Sequence, residues 1–225
     1  MMEEGIMDDS AQFAKRWVIT GIICGMCAGV SYAVSVAVSL PPQVAYPIFW
    51  AFGPLLCASA PGFYYFVKHH RKTIPLQIGT LFLIIAGASV TMMGTMQAAV
   101  RALFRSVSLE GATEVTRKAW ELSYKVADTV QLGVDVAWDI FIFSSVFLLG
   151  LVMFKHPKLG WPLGAPGCII AFLGLAFNIS TFPNNPGTQG LVDVGPFVGL
   201  RFFAVSIKVI FSLRWMDSPV KVNSR

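Results

Sequence analysis

Long apolar runs separated by short polar loops dominate the chain. Windows of predominantly apolar residues, each about 20 long and so able to cross a hydrocarbon core as a helix, fall at 17–40, 46–67, 75–100, 132–154, 162–182 and 191–215. Period-two alternation is missing from these runs, which argues against a transmembrane barrel. The pattern predicts an all-α polytopic membrane helical bundle with six transmembrane helices, a single integral membrane domain over residues 1–225. The first span follows Lys15 and Arg16 as a signal peptide's apolar region would, but runs well past the usual length of about 7–15 residues. It reads as a retained anchor.

A different periodicity precedes the fourth span. Val115, Ala119, Leu122, Val126 and Val130 recur at steps of three and four, marking an amphipathic helix over about 113–131. Glu114 and Lys118, and Glu121 and Lys125, stand in the favourable i,i+4 order on its other faces. With Trp120 and Tyr124, the segment is expected to lie on or near the outer membrane surface.

Composition agrees with a bilayer protein. The chain is 55% hydrophobic and 13% charged, against about 25% charged in soluble domains, and its mean hydropathy is +0.66. The positive charges sort by side. Lys15 and Arg16, the Lys68/Arg71/Lys72 loop, the Lys155/Lys158 loop and the tail with Arg214, Lys221 and Arg225 all fall on one side of a six-span chain, expected to be cytoplasmic together with both termini. The loop around Pro41 and the turn at Pro183–Pro186 carry no lysine or arginine. Topology thus accounts for the net charge of +5, and without a soluble basic domain nucleic acid is not an expected partner. The bilayer is.

Within the spans, several features bear on packing. Gly21, Gly25 and Gly29, continued by Ala33, form a row that lets a second backbone approach closely. The surface opposite is either a neighbouring span, a second copy or another membrane protein. Pro54 and Pro61, beside Gly53 and Gly62, are expected to interrupt span two, either as in discontinuous helices that line transport sites or as mere kinks of a membrane helix. Cys24, Cys27, Cys57 and Cys168 all lie inside spans and read as packing residues. The segments starting at Lys68 and Lys155 place Lys-His and Pro-Leu at the same offsets, which either records a duplicated hairpin or reflects common loop chemistry. His69, His70 and His156 share that side and read as loop residues.

The candidate chemistry is polar groups in apolar surroundings. Glu121, Asp128, Asp135 and Asp139 follow one another at seven, seven and four residues, so one helix carries them within roughly 40° of a common line. If the bilayer begins near Gln131, Asp139 lies about 12 Å inside it and needs a partner or water. Arg201, near the middle of span six, is the expected partner, with Asp135, Gln97 and Asn178 completing a polar cavity open to the outer side. The alternatives are that both aspartates sit at the interface, or that a buried pair only fixes helix register. Asp193 is placed to meet the positive end of span six.

The segments GVDVAWDIF at 133–141, NISTFPNNP at 178–186 and GLVDVGPFVGL at 190–200 resemble a family of small multi-pass bacterial inner-membrane proteins of uncharacterised function. The resemblance rests on D-x-x-W-D, N-x-x-T-F-P and D-x-G-P in that order and covers the second half of the chain better than the first. It implies the bacterial inner membrane and leads one to expect an aromatic residue where this chain has Arg201. No catalytic, nucleotide-binding or metal-binding motif is present, so no enzyme, cofactor or metal site is expected. The first expectation is small-solute or ion binding and transport, and the second a structural or accessory subunit docked through the glycine seam.

Overall fold

The computed structural model describes residues 2–182, 184 and 186–217. Pro183 of the outer turn and the tail cations Lys221 and Arg225 lie outside them. Among the described residues the chain forms α1 (Met2–Ala37), α2 (Pro42–His70), α3 (Ile74–Ser106), α4 (Glu114–Met153), α5 (Gly160–Thr181) and α6 (Gly195–Phe211). Single 3-10 turns at Pro186–Gln189 and Leu213–Asp217 flank α6.

Five of these helices are long and apolar enough to cross a membrane. At 17 residues α6 is about 25 Å long, at the lower limit for a span. Its far end nevertheless returns to the level of Lys15, which bonds Asp217 at 2.7 Å. The molecule is therefore an all-α polytopic membrane bundle.

Local chemistry sets the helix starts. The Thr73 hydroxyl accepts the Leu76 N–H at 3.3 Å and Pro75 occupies the first turn of α3. Thr113 caps α4 in the same way, accepting the Thr116 N–H.

Two helices run on without a break where the sequence changes character. Span two is not interrupted: Pro47, Pro54 and Pro61 all lie inside one continuous helix. Its small residues serve packing instead. A Cβ on Gly53 would meet the Gly87 carbonyl and Thr91, and one on Gly62 would meet the Gly21 backbone. The amphipathic segment is helical as expected and runs without a break into span four as the first part of α4, a single helix of 40 residues and about 60 Å. No proline or cap lies between Gln131 and Asp139 to end a helix, so the turn-by-turn hydrogen bonding simply continues. The end of α3 runs beside it, with Phe104 packed on Trp120 and Tyr124 at 4.5 and 4.9 Å.

Consecutive helices pack side by side, and α6 closes the ring against α1. Without a hydrophobic drive between helices in lipid, close approach at small residues and hydrogen bonds hold such a ring. The glycine row of span one is used inside the chain: Gly21 faces Gly62 and Ser59 of α2, while Gly25 and Gly29 receive Phe202 and Phe203 of α6. The seam is thus filled by this chain's own helices. Between α3 and α4, the Ser145 hydroxyl donates to the Gly79 carbonyl at 2.7 Å. Cys27 is exposed and the other cysteines half-buried, with the Cys57 thiol donating to the Ile84 carbonyl at 3.2 Å and the Cys168 thiol to the Phe147 carbonyl at 3.6 Å.

Candidate functional site

At the end of the ring away from the lysine-rich loops, α4, the end of α5 and the start of α6 bring polar groups together. Asp135 and Asp139 are half-buried on α4. Asp193, just before α6, joins them within electrostatic reach of both. Its carboxylate accepts the Gly195 N–H at 2.8 Å, so the charge sits on the positive end of α6 as its position in the sequence implies. Asn178 is buried, donates to the Gly174 carbonyl at 2.9 Å and lies within hydrogen-bonding reach of Asp139. Tyr32 of α1 faces all three carboxylates, with its ring against Phe52 at 5.2 Å.

Two further atoms complete the arrangement. Gln131, Asp135, Trp138 and Asp139 stand at i, i+4, i+7 and i+8, one face of α4. Gln131 donates to Asp128 at 2.6 Å, but its Oε1 is buried without a partner, as is the Trp138 Nε1. Each such orphan costs about 1–3 kcal/mol. The site therefore offers acceptors, one indole donor and an aromatic face, with no lysine or arginine in ion-pair contact with its carboxylates among the described residues.

Arg201 is elsewhere, which corrects the expected pair with Asp139. Its Nε donates to the Leu163 carbonyl at 3.0 Å and its Nη2 contacts the Met153 sulfur at 3.2 Å. Met153 lies 14 residues along α4 from Asp139, about 21 Å. The physical reason is reach: the long side chain extends toward the lysine-rich end, into space left by the absent side chain of Gly167. Between the two charges the bundle is filled by Ile142, Phe143 and Val146. The small apolar gap beside Arg201, about 20 Å³ and lined by Ser145, Leu149 and Phe202 among others, has room for about one water. Gln97 is half-buried on α3 and bonds none of the aspartates.

The lysine-rich end holds a second cluster. His156 is buried, its Nδ1 accepting the Lys158 and Leu159 N–H groups at 3.2 and 3.3 Å. Its ring stacks near Phe66, His70 and Trp215, and His69 packs on the same Trp215 at 4.8 Å. His156 does lie in the loop between α4 and α5, though buried there, whereas His69 and His70 form the last turn of α2. Burial, with His70 and His69 close by, pushes the His156 imidazole down to about 4. No group of three or more His, Cys, Asp or Glu among the described residues is placed to hold a metal ion.

Asp193, Tyr32, Gln131 and Trp138 were not singled out as site residues from the sequence. The i, i+4, i+7, i+8 spacing could have added Gln131 and Trp138 to the acidic stripe; nothing local marks Tyr32. Comparisons with protein-family models, with curated proteins and with solved structures give no match to this chain.

Proposed function

We propose that this chain is a multi-pass protein of the bacterial inner membrane that binds a small organic cation, an amine or guanidine, at the acidic end of the bundle as part of a transport cycle. The observation that carries the reading is the clustering of Asp135, Asp139 and Asp193 around Tyr32, with Asn178 beside Asp139 and no lysine or arginine in ion-pair contact among the described residues. An ammonium or guanidinium group supplies N–H donors to carboxylates and to the orphaned Gln131 Oε1, and its charge suits the tyrosine face. The spread of the carboxylates suits a group larger than a bare metal ion. The lysine-rich loops support a cytoplasmic placement of the opposite end and both termini. Ile142, Phe143 and Val146, buried on α4 inward of the aspartates, support access to the site from the outer side.

The test is uptake of labelled putrescine, choline and arginine into liposomes holding the full chain. Uptake of at least one, reduced tenfold or more by Asp139→Asn, is the expected result. Uptake of none, or uptake indifferent to the substitution, overturns the reading.

A further inference from the structure

A groove of about 340 Å³ opens between α2 and α3 on the outside of the ring, lined by Pro61, Tyr64, Lys72, Gln77, Thr80 and Leu81 together with Ile84. Its size is that of a small-molecule site. Its chemistry is graded. Lys72 and Gln77 stand at the lysine-rich end; Leu81, Ile84 and Pro61 line the deeper part. Ile84 is ten residues into α3 and Pro61 nine before the end of α2, so the groove runs about 13–15 Å into the bundle. That is half of a hydrocarbon core of about 30 Å, or one leaflet.

The rim is positive, and none of its cations is in ion-pair contact with a carboxylate among the described residues. Lys72 and Arg71 are exposed, and Lys68 stands over the Tyr64 ring at 5.6 Å. Residues 10–109 contain no aspartate or glutamate at all, so neither α2 nor α3 supplies a carboxylate. At this end Asp217 is taken by Lys15, and Asp9 stands exposed on α1, ahead of Lys15 in the chain. The positive end of α3, 33 residues long, adds to the field beside Lys72.

We propose that this groove binds an anionic glycerophospholipid, with the phosphate at Lys72 and the α3 start and one acyl chain along Leu81, Ile84 and Pro61. An apolar slot one leaflet deep beneath an unpaired cationic rim matches that molecule in length and in charge. The geometry is independent of the acidic site, and so is its test.

The full chain, purified in neutral detergent and delipidated, is titrated with phosphatidylglycerol, phosphatidylcholine and inorganic phosphate, with bound lipid resolved by mass spectrometry. Phosphatidylglycerol is expected to bind about fivefold or more tightly than phosphatidylcholine, and Lys72→Gln to reduce that preference about fivefold, the contribution of one lysine near anionic lipid. Leu81→Trp, which fills the groove from an exposed position, lowers the binding of both lipids. Lys158→Gln, exposed at the same end but outside the groove, leaves the preference intact. Equal binding of the two lipids, an equal effect of Lys72→Gln and Lys158→Gln, or displacement of the lipid by millimolar phosphate overturns the proposal.

Discussion

The Lys15 ammonium contacts both carboxylate oxygens of Asp217, at 2.7 and 2.9 Å, across 202 residues of chain. Both side chains are partly exposed, so the pair adds little stability by itself. Its consequence is topological, because it sets the end of the last helix level with the start of the first crossing. Cysteines introduced at Gln12 and Lys158 should therefore react with an impermeant thiol reagent from the same side, and one at Glu110 from the other. Labelling of Gln12 and Lys158 from opposite sides would mean an odd number of crossings between them.

Arg201 lacks a carboxylate, and its contacts are a backbone carbonyl and a thioether. A half-buried cation without an ionic partner carries a desolvation cost that these bonds only partly offset. Arg201→Met should leave thermal stability in detergent unchanged or raise it by about 1 kcal/mol or more. A loss of several kcal/mol would show that the guanidinium holds α5 and α6 together.

Gly62 and Gly21 meet backbone to backbone, so no flexible side chain can yield to an added one. Gly62→Leu should cost more than about 2 kcal/mol and broaden or abolish the unfolding transition. If the glycine seam served a partner instead, the same substitution would leave the isolated chain's stability intact and change only its oligomeric state.

How much of this was legible beforehand follows from the range of each signal. Hydropathy windows report a solvent preference that needs no partner, and the five long spans came directly from it. Continuity through Pro54 and Pro61 was misread because a neighbouring helix, absent from any local window, tolerates what would end a soluble helix. The acidic stripe was visible because it lies on one helix. Its completion by Asp193 and Tyr32 was not, since that depends on how the ring closes. Arg201 was assigned to Asp139 by the depth of its Cα, whereas its side chain is long enough to reach the level of Met153.

His156 gives a pH dependence with a definite sign. Its folded-state value of about 4 lies below the ordinary 6.5, so between those values the unfolded chain binds a proton that the folded chain does not. Stability from this group is complete above pH 6.5 and falls as pH drops toward 4, by at most ~3 kcal/mol. Melting temperature should decline over that window, and His156→Asn, which retains an acceptor for the Lys158 and Leu159 N–H groups, should flatten the decline. An unchanged slope in the variant would assign the effect to other groups.

The acidic end is the centre of the functional account, and equilibrium binding addresses it without the complication of a transport cycle. Calorimetric titration of the purified chain with putrescine, choline and arginine at pH 7 should give saturable binding of at least one of them. Asp139→Asn and Asp193→Asn should each weaken it tenfold or more, while Lys158→Gln should leave it unchanged. No saturable binding of any of the three, or the same affinity after Asp139→Asn, would contradict a cation site built from these aspartates.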